Sequence, residues 1–341
     1  MRRAAPVAAA LMAAVALVGC STVSGDLPRA ADQPWEPLVT ASTEAAEAAE
    51  AAQDARPEAA VPTNLVPPTD AGDFVSGGSL DTIRKRGFLR VGVSRDTQTR
   101  GAWSPVSHRF EGFDVELAQR IAEALFGPGT ADEKVRYRPV SYAERLPAVE
   151  NGEVDILAST LTYSESRAER VGLSAAYFTA HPRLLSHRES TRSGAGPGID
   201  SPEELAGKRV CAPRGTTTLT NLENTRQTHP TFEIVDHLNE LSDCLVAFQQ
   251  GEVDVVAAND ASLVGMLEQD ATAVLGTFSV GRDEYYSVAF ERDDTELAGF
   301  VNGVLERLRR DKPEWLKLCE RWKAPEMPCE ESLPPEPQWA R

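Results

Sequence analysis

Positive charge is scarce in this chain: 35 Lys and Arg stand against 52 Asp and Glu, a formal net charge of −17 at pH 7 over 341 residues. Nucleic-acid binding wants a basic face, and the deficit argues against it. An acidic surface favours solubility without naming a partner. Long apolar runs are also missing near the N-terminus, where the stretch Ala8 to Val18 is too short for a comfortable membrane span. Cys20, Cys211, Cys244, Cys319 and Cys329 include no closely spaced C-x₂₋₄-C pair, so a zinc site is not expected. His108, His181, His187, His229 and His237 are scattered without a nucleophile partner. No G-x-S-x-G, H-E-x-x-H or phosphate-loop pattern occurs either. Those absences speak against an enzyme and against a bound cofactor or metal.

What is present begins with a targeting segment. Arg2 and Arg3 precede the short apolar stretch, the layout of an export signal. Leu17-Val18-Gly19-Cys20 resembles a bacterial lipobox, which implies cleavage after residue 19 and lipid on Cys20. Two or more acyl chains anchor a protein stably, where one gives marginal binding. Without Arg2 and Arg3 the balance is 33 basic against 52 acidic residues, or −19. The four remaining cysteines, an even number in an exported chain, read as two disulfides. Three pairings are open, with Cys211–Cys244 and Cys319–Cys329 favoured. Residues 20–78 are poor in large apolar groups and rich in Ala, Glu, Pro and Ser, the composition of a disordered tether.

Folded periodicity starts near Gly78. Phe88 to Val93 reads as a strand, and a helix beginning at Gly112-Phe113-Asp114 sets Val115, Ala118, Ile121, Ala122 and Leu125 on one face. Val135–Val140 is expected as a second strand, Tyr142–Asn151 as a helix bent at Pro147, and Val154–Ala158 as a third strand. The pattern then restarts. Strands are expected at Lys208–Ala212 and Glu252–Ala257, and helices at Glu240–Gln250 and Asp294–Asp311. Strands alternating with helices argue for parallel α/β sheets, and two such clusters for two lobes with a cleft between them.

The most telling stretch is Val154 to Phe178. A buried strand ends in a hydroxyl-rich turn, Ser159-Thr160-Leu161-Thr162-Tyr163-Ser164, and Arg167 follows. Ligands in open α/β sheets bind just beyond the carboxyl ends of strands. Hydroxyls, backbone N–H groups and a planar guanidinium gathered there suit a carboxylate. Thr160-Leu161-Thr162-Tyr163-Ser164-Glu165-Ser166-Arg167-Ala168, with Val171-Gly172-Leu173-Ser174 and Tyr177, resembles the signature of family 3 extracytoplasmic solute-binding proteins. These are the amino-acid receptors of ABC importers. Arg209 to Thr217, Asp243 to Gln250 and Phe300 to Arg307 are similar to the actinobacterial glutamine/glutamate-binding lipoproteins, and Cys211 and Cys244 fall inside two of those blocks.

The resemblance implies the type II periplasmic-binding-protein fold, an α/β architecture of two lobes joined by two hinge strands. Lobe one would be 79–178 plus 286–341 and lobe two 182–282, with crossings near Tyr177–His181 and Glu284–Ser287. It implies a ligand carboxylate on Arg167, backed by Thr162 and the backbone at Thr160, where the family usually has Gly. Gly215, Thr216 and Thr217, at a helix start, would add donors from lobe two. Asn259 or Asp260 would meet the ligand's ammonium, and Tyr142 would stack on the ligand or serve the core. Arg95, Arg100 or Arg214 is a candidate for reading a side-chain carboxylate. The implied function is a monomeric receptor, lipid-anchored outside the cell membrane. It would bind glutamate, aspartate, glutamine or asparagine and deliver it to an ABC permease. A sensor signalling to a membrane protein and a cyclohexadienyl-dehydratase-like enzyme are the rival readings.

Overall fold

The computed structural model describes residues 61–70, 75–188, 198–323 and 327–340. The leader and Cys20 lie outside them. In the first lobe, helix α1 (Ser79–Arg86) leads into β1 (Leu89–Ser94), and a small antiparallel sheet follows: β2 (Asp96–Thr97), β3 (Gly101–Ser104) and β4 (Arg109–Glu111). Helix α2 (Phe113–Phe126) comes next, then the short α3 (Ala131–Lys134), β5 (Val135–Val140), α4 (Arg145–Glu150), β6 (Ile156–Ala158), α5 (Glu165–Ala168) and β7 (Gly172–Leu173). The chain crosses through β8 (Phe178–Ala180) and β9 (Pro182–His187).

The second lobe holds β10 (Arg209–Cys211), α6 (Thr217–Thr228), β11 (Glu233–Val235), α7 (Leu241–Gln249), β12 (Val255–Asn259), α8 (Asp260–Leu267) and β13 (Ala273–Leu275). The return runs through β14 (Glu284–Tyr286) to β15 (Ala289–Phe290), α9 (Thr295–Arg310) and α10 (Lys312–Trp322).

Each lobe is built on one five-stranded sheet, in the orders β5-β1-β6-β15-β7 and β11-β10-β12-β9-β13. In the first, β1 lies parallel to β5 and β6, while the returning β15 runs antiparallel. In the second, β10 is parallel to β11 and β12, and β9 runs antiparallel to β12. Both sheets therefore open the carboxyl ends of their parallel strands toward the crossings, where β8 and β14 pair antiparallel, Tyr286 opposite Phe178. The crossing is stiffened by aromatic packing. Phe178 stacks on Tyr286 with centroids 5.8 Å apart, and Trp315 donates its indole N–H to the Tyr177 carbonyl.

Three local expectations change. Pro147 does not bend a helix, because α4 starts only at Arg145 and a proline in the first turn removes no intrahelical bond. A further helix, α10, follows α9 after Asp311, whose side chain caps it at the Glu314 N–H. The tether, expected to run to residue 78, is docked over 61–70. Leu65 is buried and pairs with Trp339, and the Asn302 amide donates to the Val66 carbonyl. Thr69 donates to Gly299, and a Cβ at Gly303 would lie 2.0 Å from the Thr69 oxygen. Two apolar residues and two glycines of α9 suffice to seat this segment, a signal lost in a composition averaged over some sixty residues. Both disulfides are present, Cys211–Cys244 and Cys319–Cys329.

Candidate ligand-binding site

Strand β6 is buried throughout, and its end sets up the first wall of the cleft. Thr160 adopts φ +46°, a left-handed conformation costly for a β-branched residue. Its N–H donates to Asp114 Oδ2 at 2.7 Å, a charge-assisted bond that offsets the strain. That φ explains why glycine is the easy choice at such a turn. Four residues on, the Ser164 hydroxyl accepts from the Arg167 N–H and caps α5. The Arg167 side chain, 1 % exposed, then turns inward: Nη1 donates to the Thr162 carbonyl at 2.8 Å and Nη2 to the Gly215 carbonyl at 3.1 Å.

Gly215 belongs to the other lobe. It takes φ +71° in the turn after β10, and the Thr216 hydroxyl accepts from the Leu219 N–H to start α6. Arg145 reaches the same carbonyl with Nη2 at 2.7 Å, while its Nε donates to Tyr142 and its guanidinium lies 4.8 Å from that ring's centroid. Two guanidiniums from lobe one thus converge on one carbonyl of lobe two.

Glu284, on β14, completes the wall. Its carboxylate is buried and Oε2 accepts from Thr162 Oγ1 at 2.5 Å, Thr217 Oγ1 at 2.7 Å and Asn259 Nδ2 at 2.9 Å. The cavity between them measures about 30 Å³, room for one or two water molecules and too small for an amino acid.

Tyr142, Thr160, Thr162, Arg167, Thr216, Thr217 and Asn259 all line this cavity, and Gly215 touches it through its carbonyl partners. Asp260 does not line it. Its carboxylate holds the His181 main-chain N–H at 3.0 Å and ring at 2.8 Å, beside the crossing. Arg95 also departs from expectation, because the acidic Glu144 and Glu240 capture it at 2.7 and 3.4 Å. Arg100 is buried over Phe178 and donates to the Ala261 carbonyl, and Arg214 donates to the Asp236 carbonyl; neither lines the cavity. Thr162 keeps its place, but its hydroxyl serves Glu284 and its carbonyl serves Arg167. Arg145, Tyr286 and Glu284 were not anticipated. A buried arginine inside an apparent amphipathic helix, and a glutamate on a crossing strand, carry no pattern that sets them apart in sequence.

Charge beside the cleft is pH-sensitive. Burial lifts the Asp114 carboxyl to about 6, against the pull of Arg100, the Thr160 N–H and the Tyr177 hydroxyl. Burial, then Asp96, lifts Glu240 to about 8, with Asp243 and Glu144 adding and Arg95 opposing. Asp96 comes from lobe one and accepts the Ser242 N–H of lobe two, so this cluster spans the lobes. A raised carboxyl favours the fold while protonated: the contribution is full below about 4.5 and is lost as pH rises through about 8. Glu240→Gln is accordingly expected to raise Tm at pH 8.5, by about 2–4 °C for each kcal/mol relieved. Scanning calorimetry at pH 4.5 is expected to show almost no change.

Residues 89–325 match the model of the bacterial extracellular solute-binding proteins, family 3. The chain belongs to this family. The ABC transporter glutamine-binding protein GlnH of Bacillus subtilis is 29 % identical over 245 residues, covering 72 % of this chain and 84 % of its own length. The glutamate-binding protein GluB of Corynebacterium efficiens is 27 % identical over 254 residues, covering 71 % and 81 %. Among solved structures, an ancestral arginine-binding protein bound to arginine superposes with a TM-score of 0.60 at 26 % identity, covering 70 % of this chain and 98 % of that one. The relatives are solute-binding receptors, and the family is extracellular.

Proposed function

We propose that this solute-binding protein is a receptor for an acidic amino acid, glutamate or aspartate, which it hands to an ABC permease while lipid on Cys20 holds it to the cell membrane. The observation that carries the reading is the convergence of Arg145 and Arg167 on the Gly215 carbonyl inside the interlobe cavity. An α-amino acid brings one carboxylate, which Arg167 and the first turn of α6 receive. Free N–H groups at a helix start favour anions. A second guanidinium at Arg145 suits a ligand with a second carboxylate better than the corresponding amide. Tyr142 forms the floor under Arg145. In this reading the protein acts as a monomer.

Calorimetric titration of the mature chain with glutamate, aspartate, glutamine and asparagine tests this. Hydrogen bonds to a charged group contribute about 1.5–3 kcal/mol, so the acids are expected to bind roughly tenfold or more tighter than the amides. Arg145→Met is expected to erase that preference. Silence with all four amino acids rejects the receptor reading; equal affinities reject only the preference.

A further inference from the structure

We propose that the N-terminal segment 61–70 and the C-terminal tail 327–340 form a clasp on the interlobe crossing, so that the seat of that segment and the stiffness of the hinge are set together. Both pieces lie outside residues 89–325, the stretch that the family model matches. The segment reaches the crossing by two routes.

The first runs through Asn302 of α9, which is 1 % exposed. Its Nδ2 donates to the Val66 carbonyl at 2.8 Å, and its Oδ1 accepts the Ala175 N–H at 2.8 Å, two residues before Tyr177 enters the crossing. A main-chain acceptor on one side and a main-chain donor on the other fix the orientation of the amide. The second route is the tail. The Leu65 N–H donates to the Gln338 carbonyl at 3.0 Å, and the Ala340 N–H donates to the Leu65 carbonyl at 2.7 Å. Further back, the tail meets Thr179 of β8, whose N–H donates to the Ser332 carbonyl at 3.0 Å and whose hydroxyl donates to the Leu333 carbonyl at 2.8 Å. Pro334-Pro335-Glu336-Pro337 joins these two contacts, and a proline-rich chain is a semi-rigid spacer rather than a slack one. Cys329, bridged to Cys319 in α10, fixes the tail near its start.

The crossing has reason to need such support. β8 and β14 pair over three residues each, and a two-stranded ribbon is marginal in water by itself. Thr179 sits opposite Tyr285 with its N–H turned outward, so the tail braces the open edge of β8. Hinge motion is absorbed by a few residues of this kind, and bracing them restricts how far the lobes swing. The seat is cut to fit as well: Gly299 and Gly303 of α9 leave room against Thr69 that a Cβ would fill.

Hydrogen exchange of the mature chain tests this without any ligand, so its outcome is independent of the amino-acid reading. Gly303→Ala drives a methyl group into the Thr69 carbonyl, and Leu65→Asp buries a charge; each is expected to release 61–70. In both variants, peptides covering 174–180 are expected to exchange roughly tenfold or more faster, while those covering 89–94 and 255–259, in the two sheets, stay within about threefold of wild type. Tm gives a second readout. Alanine outranks glycine inside a helix, so Gly303→Ala is expected to lower Tm in the wild-type chain and raise it in the Leu65→Asp chain, where no seated segment is left to displace. Unchanged protection at 174–180 while 61–70 exchanges freely overturns the clasp and leaves the segment a passive linker. Retained protection of 61–70 in both variants, acceleration shared equally by the two sheets, or a Gly303→Ala effect of one sign in both chains overturns it too.

Discussion

Arg167→Ala is expected to weaken amino-acid binding by at least a hundredfold, since leaving a buried carboxylate without its charged partner costs about 2–5 kcal/mol. On the proposed reading, binding is an exchange at this residue: the guanidinium donates to the main-chain carbonyls of Thr162 and Gly215, and a ligand carboxylate would take over the donor aimed at Gly215. The donor is ionised in both states, but a carboxylate adds the opposite charge and can take two parallel N–H bonds from the planar fork, which favours the exchange. Removing the side chain also withdraws a donor from the Thr162 carbonyl, at about 1–3 kcal/mol of stability. The binding effect wins because Gly215 keeps its bond from Arg145 and α5 keeps its cap at Ser164. Arg167→Lys separates the two: it retains charge but not the planar fork, and is expected to fall between wild type and alanine. Calorimetry well below each variant's Tm is the measurement. An alanine variant within tenfold of wild type removes Arg167 from the site.

The first wall of the cavity was legible because its parts are close in the chain. Thr160, Thr162 and Arg167 sit within eight residues of one another, and a strand end, a hydroxyl turn and a cap dictate their geometry locally. The wall formed by β12 and β14 was not legible to the same degree. Whether Asn259 or Asp260 faces the cleft depends on where β12 stops. Its pairing continues to Asn259 opposite Pro182, so Asn259 stays in the wall, while Asp260 opens α8 and turns to His181. Glu284 meets partners 25, 67 and 122 residues away, and no local pattern encodes such a meeting. Arg95 illustrates the opposite error. Its position after β1 pointed to the cleft mouth, but Glu144 and Glu240, unremarkable in sequence, compete for it. The fold was easier to read than the site because periodicity reports burial directly, whereas a site depends on which distant side chains reach one point.

The pairing Cys211–Cys244 sets the second large effect, this time on stability. Its partners lie 33 residues apart, one ending β10 and the other inside α7, and both sulfurs are fully buried with Leu241, Phe248 and Val256 in the core of lobe two. Loop-closure entropy for a crosslink of that span stabilises the fold by about 3–4 kcal/mol. The Cys319–Cys329 bridge spans 10 residues, and the same relation gives it about 2.5–3 kcal/mol. Cys211→Ala/Cys244→Ala is therefore expected to lower Tm by roughly 6–15 °C, more than Cys319→Ala/Cys329→Ala, at about 2–4 °C per kcal/mol for a chain of this size. Alanine at both positions avoids a stray thiol that would confuse the result by mispairing. The bridge lies just before the Gly215 turn, so it also bears on function. If it only restricts the unfolded chain, ligand affinity measured far below Tm stays within a few-fold of wild type. If it instead holds the Gly215 carbonyl in reach of Arg145 and Arg167, affinity and Tm fall together. A Tm loss with unchanged affinity assigns the bridge to folding, and a Tm change under about 3 °C rejects the entropic account altogether.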